Sequence, residues 1–268
     1  QDLFFDLEGV QDYVFPGRLE YLFGIFYIED GKEIFKPYWA HNKDEEKESV
    51  VQFFKFTKAH FKKYPKAKIY HYASYEINAL ERLTSLHKVH GVDYDHYLNL
   101  GRFVDLFKVV KQAIHVSQKS YSIKDIEKYY DFKRSGDILK GDVSEEFYVQ
   151  WMQNKNQQLL DKIEEYNKQD CISTSRLRKW LLKIKPQETK WFVPEKEQIE
   201  LRPFEEILLE YQDKFTKSKV KNTKIGKLLS DIVGFYSREQ KPQWRQHFDR
   251  KDLSDDELID DRECIANM

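Results

Sequence analysis

Cysteine is almost missing from this chain, and so are several other features that would narrow its function. Cys171 and Cys264 are the only two among 268 residues. Two are too few for a disulfide framework or a four-sulfur zinc site, so a reducing, cytoplasmic setting is expected. No apolar run approaches the ~20 residues needed to span a bilayer. No basic segment precedes an apolar stretch and a small-residue cleavage site, so no secretory signal is expected either. Neither sign of charge dominates: 45 Lys and Arg stand against 46 Asp and Glu. That excludes an indiscriminate polycation, though not a locally basic surface. The chain starts at Gln1 rather than Met, as expected of a segment excised from a longer protein.

What is present is aromatic and charged. Nineteen Phe and 17 Tyr within 40% hydrophobic residues can furnish a core, and a mean hydropathy of −0.76 belongs to the soluble class. Residues 3–6 read as a short buried strand and 20–28 as a second. The Glu29-Asp30-Gly31 turn leads to a third near 33–39, making a hairpin. Val50, Val51, Phe53, Phe54, Ala59 and Phe61 predict a helix over 44–63, ended by Tyr64-Pro65. Residues 68–71 predict a fourth strand, and 75–88 a helix with Leu80, Leu83 and Leu86 inward. Residues 103–106 predict a fifth strand. Ser122-Ile123-Lys124-Asp125 has the form of a capping box opening a short helix. Residues 144–153 and, most clearly, 157–183 are helical by periodicity. This order of elements predicts an α/β fold around a mixed sheet.

Asp6 and Glu8 are two apart on a predicted strand and share one face, while Phe5 and Leu7 take the other. Two acids on one face of a buried strand repel each other and lose hydration, so a positive partner is wanted there. Alone, however, such a pair reads by default as an edge strand facing water. Tyr166 and Asp170 are four apart on the strongest helix and share its face. Glu76 sits at a predicted helix start, where its charge suits the dipole. None of these means much in isolation. A strand Asp-x-Glu, an acid at a strand-to-helix junction and a late Tyr-x-x-x-Asp helix together form one ordered set.

That set resembles the DEDD 3′–5′ exonuclease superfamily, in its tyrosine subclass. Phe4-Phe5-Asp6-Leu7-Glu8 matches the first motif. His71-Tyr72-Ala73-Ser74-Tyr75-Glu76 matches the second, with Glu where Asp is usual, and Tyr166-Asn167-Lys168-Gln169-Asp170 the third. Phe103-Val104-Asp105-Leu106 and Ser122-Ile123-Lys124-Asp125 look like its intermediate segments. The resemblance covers roughly residues 3–182. It implies an RNase H-like three-layer fold with a mixed five-stranded sheet. It also implies two Mg²⁺ or Mn²⁺ ions, ~3.5–4 Å apart, clamping the attacking and leaving oxygens of a phosphodiester. Asp6 would bridge both ions, Glu8 and Asp170 would complete one site, Glu76 would serve the other as a variant ligand, and Tyr166 would orient the attacking water. Asp105 ends a predicted strand and would be a supporting acid, with a helix cap as its alternative reading.

Glu20-Tyr21-Leu22-Phe23-Gly24, Tyr70 to Glu76 and Lys241-Pro242-Gln243-Trp244-Arg245 also resemble bacterial RecB-family nuclease–helicase proteins. This implies adjoining RecB-like nuclease and helicase regions as partners. The expected organisation is an exonuclease domain over 1–185, a proline-marked linker over 186–203 and a helical C-terminal appendage over 204–268. Ten basic residues against three acids between Lys214 and Arg250 mark a stretch that tracks a phosphate backbone or forms a solvated helical face. Tyr72, Tyr75, Lys124, Trp244 and Arg245 are the candidate nucleic-acid contacts, Tyr70, Tyr72 and Tyr75 being equally consistent with core packing. His71 and His115 read as structural, and Lys124 by default as an exposed helix lysine. The expected activity is 3′–5′ exonuclease action on DNA, as single strands or 3′ ends, in preference to RNA. An inactive nucleic-acid-binding scaffold and an endonuclease on the same fold are the alternatives.

Overall fold

The computed structural model describes residues 1–11, 18–134 and 141–190, together with the helix Lys224–Ile232 and a few positions around it. The chain divides into two compact units, residues 1–189 and 190–268.

The first unit is built on five strands: β1 (Leu3–Gln11), β2 (Arg18–Glu29), β3 (Lys32–Trp39), β4 (Ile69–His71) and β5 (Phe103–Asp105). They form one sheet in the order β3-β2-β1-β4-β5. The β1–β2 and β2–β3 pairs are antiparallel, and the β1–β4 and β4–β5 pairs parallel. Side-chain alternation on β1 decides the rest. Leu3, Phe5 and Leu7, with Phe23, Ile25 and Tyr27 across the ladder, pack on one face against Val50, Phe53, Phe54, Leu80 and Leu83. These come from α1 (Lys43–Lys63) and α2 (Tyr75–His87). Each such aromatic or aliphatic burial contributes roughly 1.5–3 kcal/mol. The even residues of β1 face the other way, where Phe4 meets Cys171 and Ile172 of α7 (Gln157–Ile184). Asp6 and Glu8 are therefore directed at α7, between two layers of protein.

The strands and helices predicted between residues 3 and 183 are all present, with shifted ends. The chain adds α3 (Gly91–Asn99) and α4 (Leu106–Ala113), which periodicity did not reveal. Leu106 is the first residue of α4, not the last of β5, because Asp105 caps that helix by accepting from Phe107 N at 2.9 Å. A four-residue α5 (Ile123–Ile126) follows, capped by Ser122 as expected, and α6 (Gly141–Asn154) precedes α7. Leu86 does not turn inward: it is 55% exposed. One turn beyond Leu83 the inward position is His87, whose Nε2 lies 2.8 Å from Glu46 Oε2.

In the second unit, α8 (Lys224–Ile232) is capped by Thr223, whose hydroxyl accepts from Gly226 N. Most of the rest of the expected appendage over 204–268 lies outside the described residues, as does most of the expected linker over 186–203. Among the described residues no helix is long and apolar enough to cross a membrane.

Candidate metal centre

Asp6 and Glu8 of β1 and Asp170 of α7 each bring a carboxylate oxygen within 4.8 Å of the others. Each acid has a dedicated neighbour. Asn167 Nδ2 donates to Asp6 Oδ2 at 2.7 Å. Ser144 of α6 donates to Glu8 Oε2 at 2.9 Å and lies 2.8 Å from the Tyr21 hydroxyl. Arg134 donates to Asp170 Oδ1. Tyr166, one helical turn before Asp170, presents its hydroxyl beside the cluster, where Lys124 Nζ donates to it at 2.9 Å. A cleft of about 270 Å³ opens here, lined by Asp6, Tyr72, Lys124, Tyr166, Asp170 and Thr174.

The electrostatics are those of crowded, desolvated acids. Burial, then the charges of Asp170, Glu8 and Glu76, hold the Asp6 carboxyl well above its ordinary range. Burial and Asp170 push Glu8 up to about 8. Asp170 is raised by burial, with Arg134 opposing the shift. Burial and the three carboxylates also raise the Tyr166 hydroxyl, so it stays protonated at neutral pH. Lys124 is pulled down by its own desolvation, with Asp170 opposing.

Glu76 stands outside the group of three, close enough for its charge to raise Asp6. It is 4% exposed, and its Oε2 is buried without a hydrogen-bond partner among the described residues. His71 Nδ1 lies 3.7 Å from that oxygen and itself donates to Ala73 O at 2.6 Å. Asp105 touches none of the triad. Its Oδ1 accepts from Ala73 N at 2.9 Å and so ties α4 to the left-handed residue (φ 72°) that precedes α2 and Glu76. Tyr72 donates to Tyr121 O. Tyr75 spends its hydroxyl on Glu20 Oε2 at 2.6 Å. Lys124 is half-buried and engaged on Tyr166 rather than an exposed helix lysine. His115 is exposed, after the end of α4. Trp244 and Arg245 lie outside the described residues.

Compared with known families, residues 3–182 match the RNase_H_2 family model, described as RNase_H superfamily. The chain belongs to the RNase H superfamily. No curated protein matches it. Membership makes metal-dependent nuclease chemistry on nucleic acid the class to which this site is to be fitted, and the donor set fits. Three carboxylates are natural ligands for hard divalent ions. Glu76 adds a buried oxygen with no hydrogen-bond partner among the described residues, and the burial and mutual repulsion that raise these acids are what a bound dication offsets.

Three neighbours of the RNase H-type cluster escape a reading of the acids alone. Asn167 lies inside the Tyr-x-x-x-Asp segment, so its place on the cluster's face could have been inferred from helical spacing. Ser144 and Arg134 carry no such signal, because only the tertiary fold brings them in. Asn167 in turn depends on Gly24, the β2 partner of Asp6. A Cβ on Gly24 would lie 1.6 Å from Asn167 Oδ1 and 2.8 Å from its Cγ. Gly24→Ala must therefore displace the amide that holds Asp6. It is expected to cost about 1–3 kcal/mol of stability, as overpacking of a tight core does, and to weaken Mn²⁺ binding. Denaturant melts and metal titration check both. An unchanged affinity would show that Asn167 does not hold Asp6 in its binding orientation.

Proposed function

We propose that this domain is a 3′–5′ exonuclease of the DEDD tyrosine type, acting on DNA as single strands or 3′ ends. The observation that carries this reading is the convergence of Tyr166 and Asp170 of one helix with Asp6 and Glu8 of one strand, with Asp6, Tyr166 and Asp170 lining a single cleft. Asp6, Glu8 and Asp170 would hold Mg²⁺ or Mn²⁺, and Glu76 would serve as a variant ligand to a second ion. When bound, such ions lower the pKa of a coordinated water and offset charge on the phosphodiester.

The chain's own residues do the rest. Tyr166 keeps its proton and receives a hydrogen bond from Lys124, so its O–H is left to donate into the cleft. It orients the attacking water and is not the base. Lys124 adds positive charge to the same wall, where a phosphate is favoured. Tyr72 lines the cleft and offers a ring to a terminal base. Asp105 supports the turn that delivers Glu76. The domain over 1–185, a linker over 186–203 and a helical appendage over 204–268 with Trp244 and Arg245 fit a segment of a RecB-family nuclease–helicase protein.

The test is directional. With Mn²⁺, a 5′-labelled single strand is expected to give a ladder of shortening products, and a 3′-labelled one to release its label first. A circular strand is expected to survive. Cleavage of the circle would make the enzyme an endonuclease, and faster loss of an RNA strand would reverse the substrate preference. Unchanged strands in every case would leave a binding module.

A further inference from the structure

Two cations reach the carboxylates from the segment that follows Ser122, and they are held differently. Lys124 ends on the Tyr166 hydroxyl. Arg134 ends on Asp170 itself. The Arg134 side chain is 7% exposed, and a second buried acid grips it from behind. Its Nε lies 3.1 and 3.0 Å from the two oxygens of Glu127, and its Nη2 2.6 Å from Glu127 Oε1. Ser173 of α7 fixes that acid by donating to Glu127 Oε1 at 2.6 Å, and Tyr130 lies 2.8 Å from the same serine oxygen. The guanidinium carbon sits 5.5 Å from the Tyr166 ring centroid. Its Nη1 is buried with no hydrogen-bond partner among the described residues.

We propose that Arg134 is a positioning residue of the metal centre: a fixed counter-cation that occupies one oxygen of Asp170 and holds down the cluster's affinity for divalent metal. This rests on the reading of Asp6, Glu8 and Asp170 as metal ligands. A hydrogen bond from a guanidinium makes Asp170 a weaker donor to any other cation. Repulsion between a buried guanidinium and a dication in the same cleft is poorly screened by salt. Loss of orientation works the other way, but Asp170 is mid-helix, with its carbonyl accepting from Thr174 Oγ1 at 2.9 Å. Its backbone stays put without the arginine, so the charge effect wins. In the metal-free protein the same contact is what offsets the Asp170 charge.

The experiment is calorimetric titration of MnCl₂ into the full chain, with melting temperature in chelator as second readout. Arg134→Gln is expected to bind Mn²⁺ about tenfold more tightly than wild type, because one nearby positive charge is gone. Arg134→Lys keeps the charge and is expected to stay within about threefold of wild type, while both variants melt lower without metal. A purely structural arginine would lower the melting temperature without tightening the metal. Equal or weaker binding by Arg134→Gln overturns the proposal. If that variant folds only with Mn²⁺ present, the linkage supports it. If it stays unfolded at saturating Mn²⁺, the arginine is needed for packing and the proposal fails. Wild type that binds no Mn²⁺ sinks the metal reading and this inference together, whereas binding by wild type unaltered in Arg134→Gln sinks the inference alone.

Discussion

Asp6→Asn is expected to reduce metal-dependent hydrolysis about a thousandfold, a loss of several kcal/mol of transition-state stabilisation, while making the metal-free protein harder to melt. The two effects share one cause. Burial raises the Asp6 carboxyl, and the charges of Asp170, Glu8 and Glu76, which share the site, raise it further. Without metal this is stored repulsion, and replacing one acid by its neutral amide removes it. The asparagine keeps an acceptor for Asn167 Nδ2, which donates to the carboxylate in the parent. Asn167 therefore keeps its partner. Relief of about 1–2 kcal/mol is expected, which for a domain of this size raises the melting temperature by about 2–4 °C per kcal/mol. Activity assays with Mn²⁺ and melts in chelator on the same preparation check both halves. Lost activity with a lowered melting temperature would mean that Asp6 stabilises the fold, contrary to the crowding around it. Full activity in Asp6→Asn would remove Asp6 from the metal ligands.

How far the sequence revealed this site follows from which forces act locally. Alternation on β1 put Asp6 and Glu8 on the face opposite Phe5 and Leu7, and the packing of those two on α1 and α2 keeps that face toward α7. Spacing on α7 likewise put Tyr166 and Asp170 together. Periodicity carries such information because it is written in neighbouring residues. What set the acids' surroundings was not local. Arg134 arrives from a loop, Ser144 from α6, and Gly24 matters only because Asn167 fills the space a Cβ would take. Leu86 shows the same limit: by spacing it joins Leu83, yet the buried Glu46 selects His87 for that turn. Asp105 reads in sequence as a supporting acid or a helix cap, and the fold selects the cap, since its carboxylate meets Phe107 N and Ala73 N.

The same crowding makes stability and metal binding move in opposite directions with pH. Glu8 is held at about 8 in the folded chain against an ordinary 4.5. Between those values the unfolded chain gives up the proton and the folded one keeps it, so rising pH favours unfolding. The metal-free protein is therefore expected to lose stability steadily from about pH 4.5 to about pH 8, at up to ~1.4 kcal/mol per pH unit for this one group. Asp6 and Asp170, also raised, add to the slope. Asp93 and Asp125, which ion pairs hold low, lose their contribution only under more acidic conditions. His41 and His60, which burial holds below 6.5, oppose the trend in the lower part of the window. Subtracting the profile of Glu8→Gln, which leaves those histidines and the other two acids in place, isolates the contribution of Glu8. A saturating divalent ion needs the deprotonated acids, so its stabilisation is expected to grow across the same window. Melting temperatures from pH 5 to 9, in chelator and in Mn²⁺, should diverge as pH rises. Parallel curves would mean that metal binding is not linked to deprotonation of these acids, and a flat difference against Glu8→Gln would mean that Glu8 is ionised throughout.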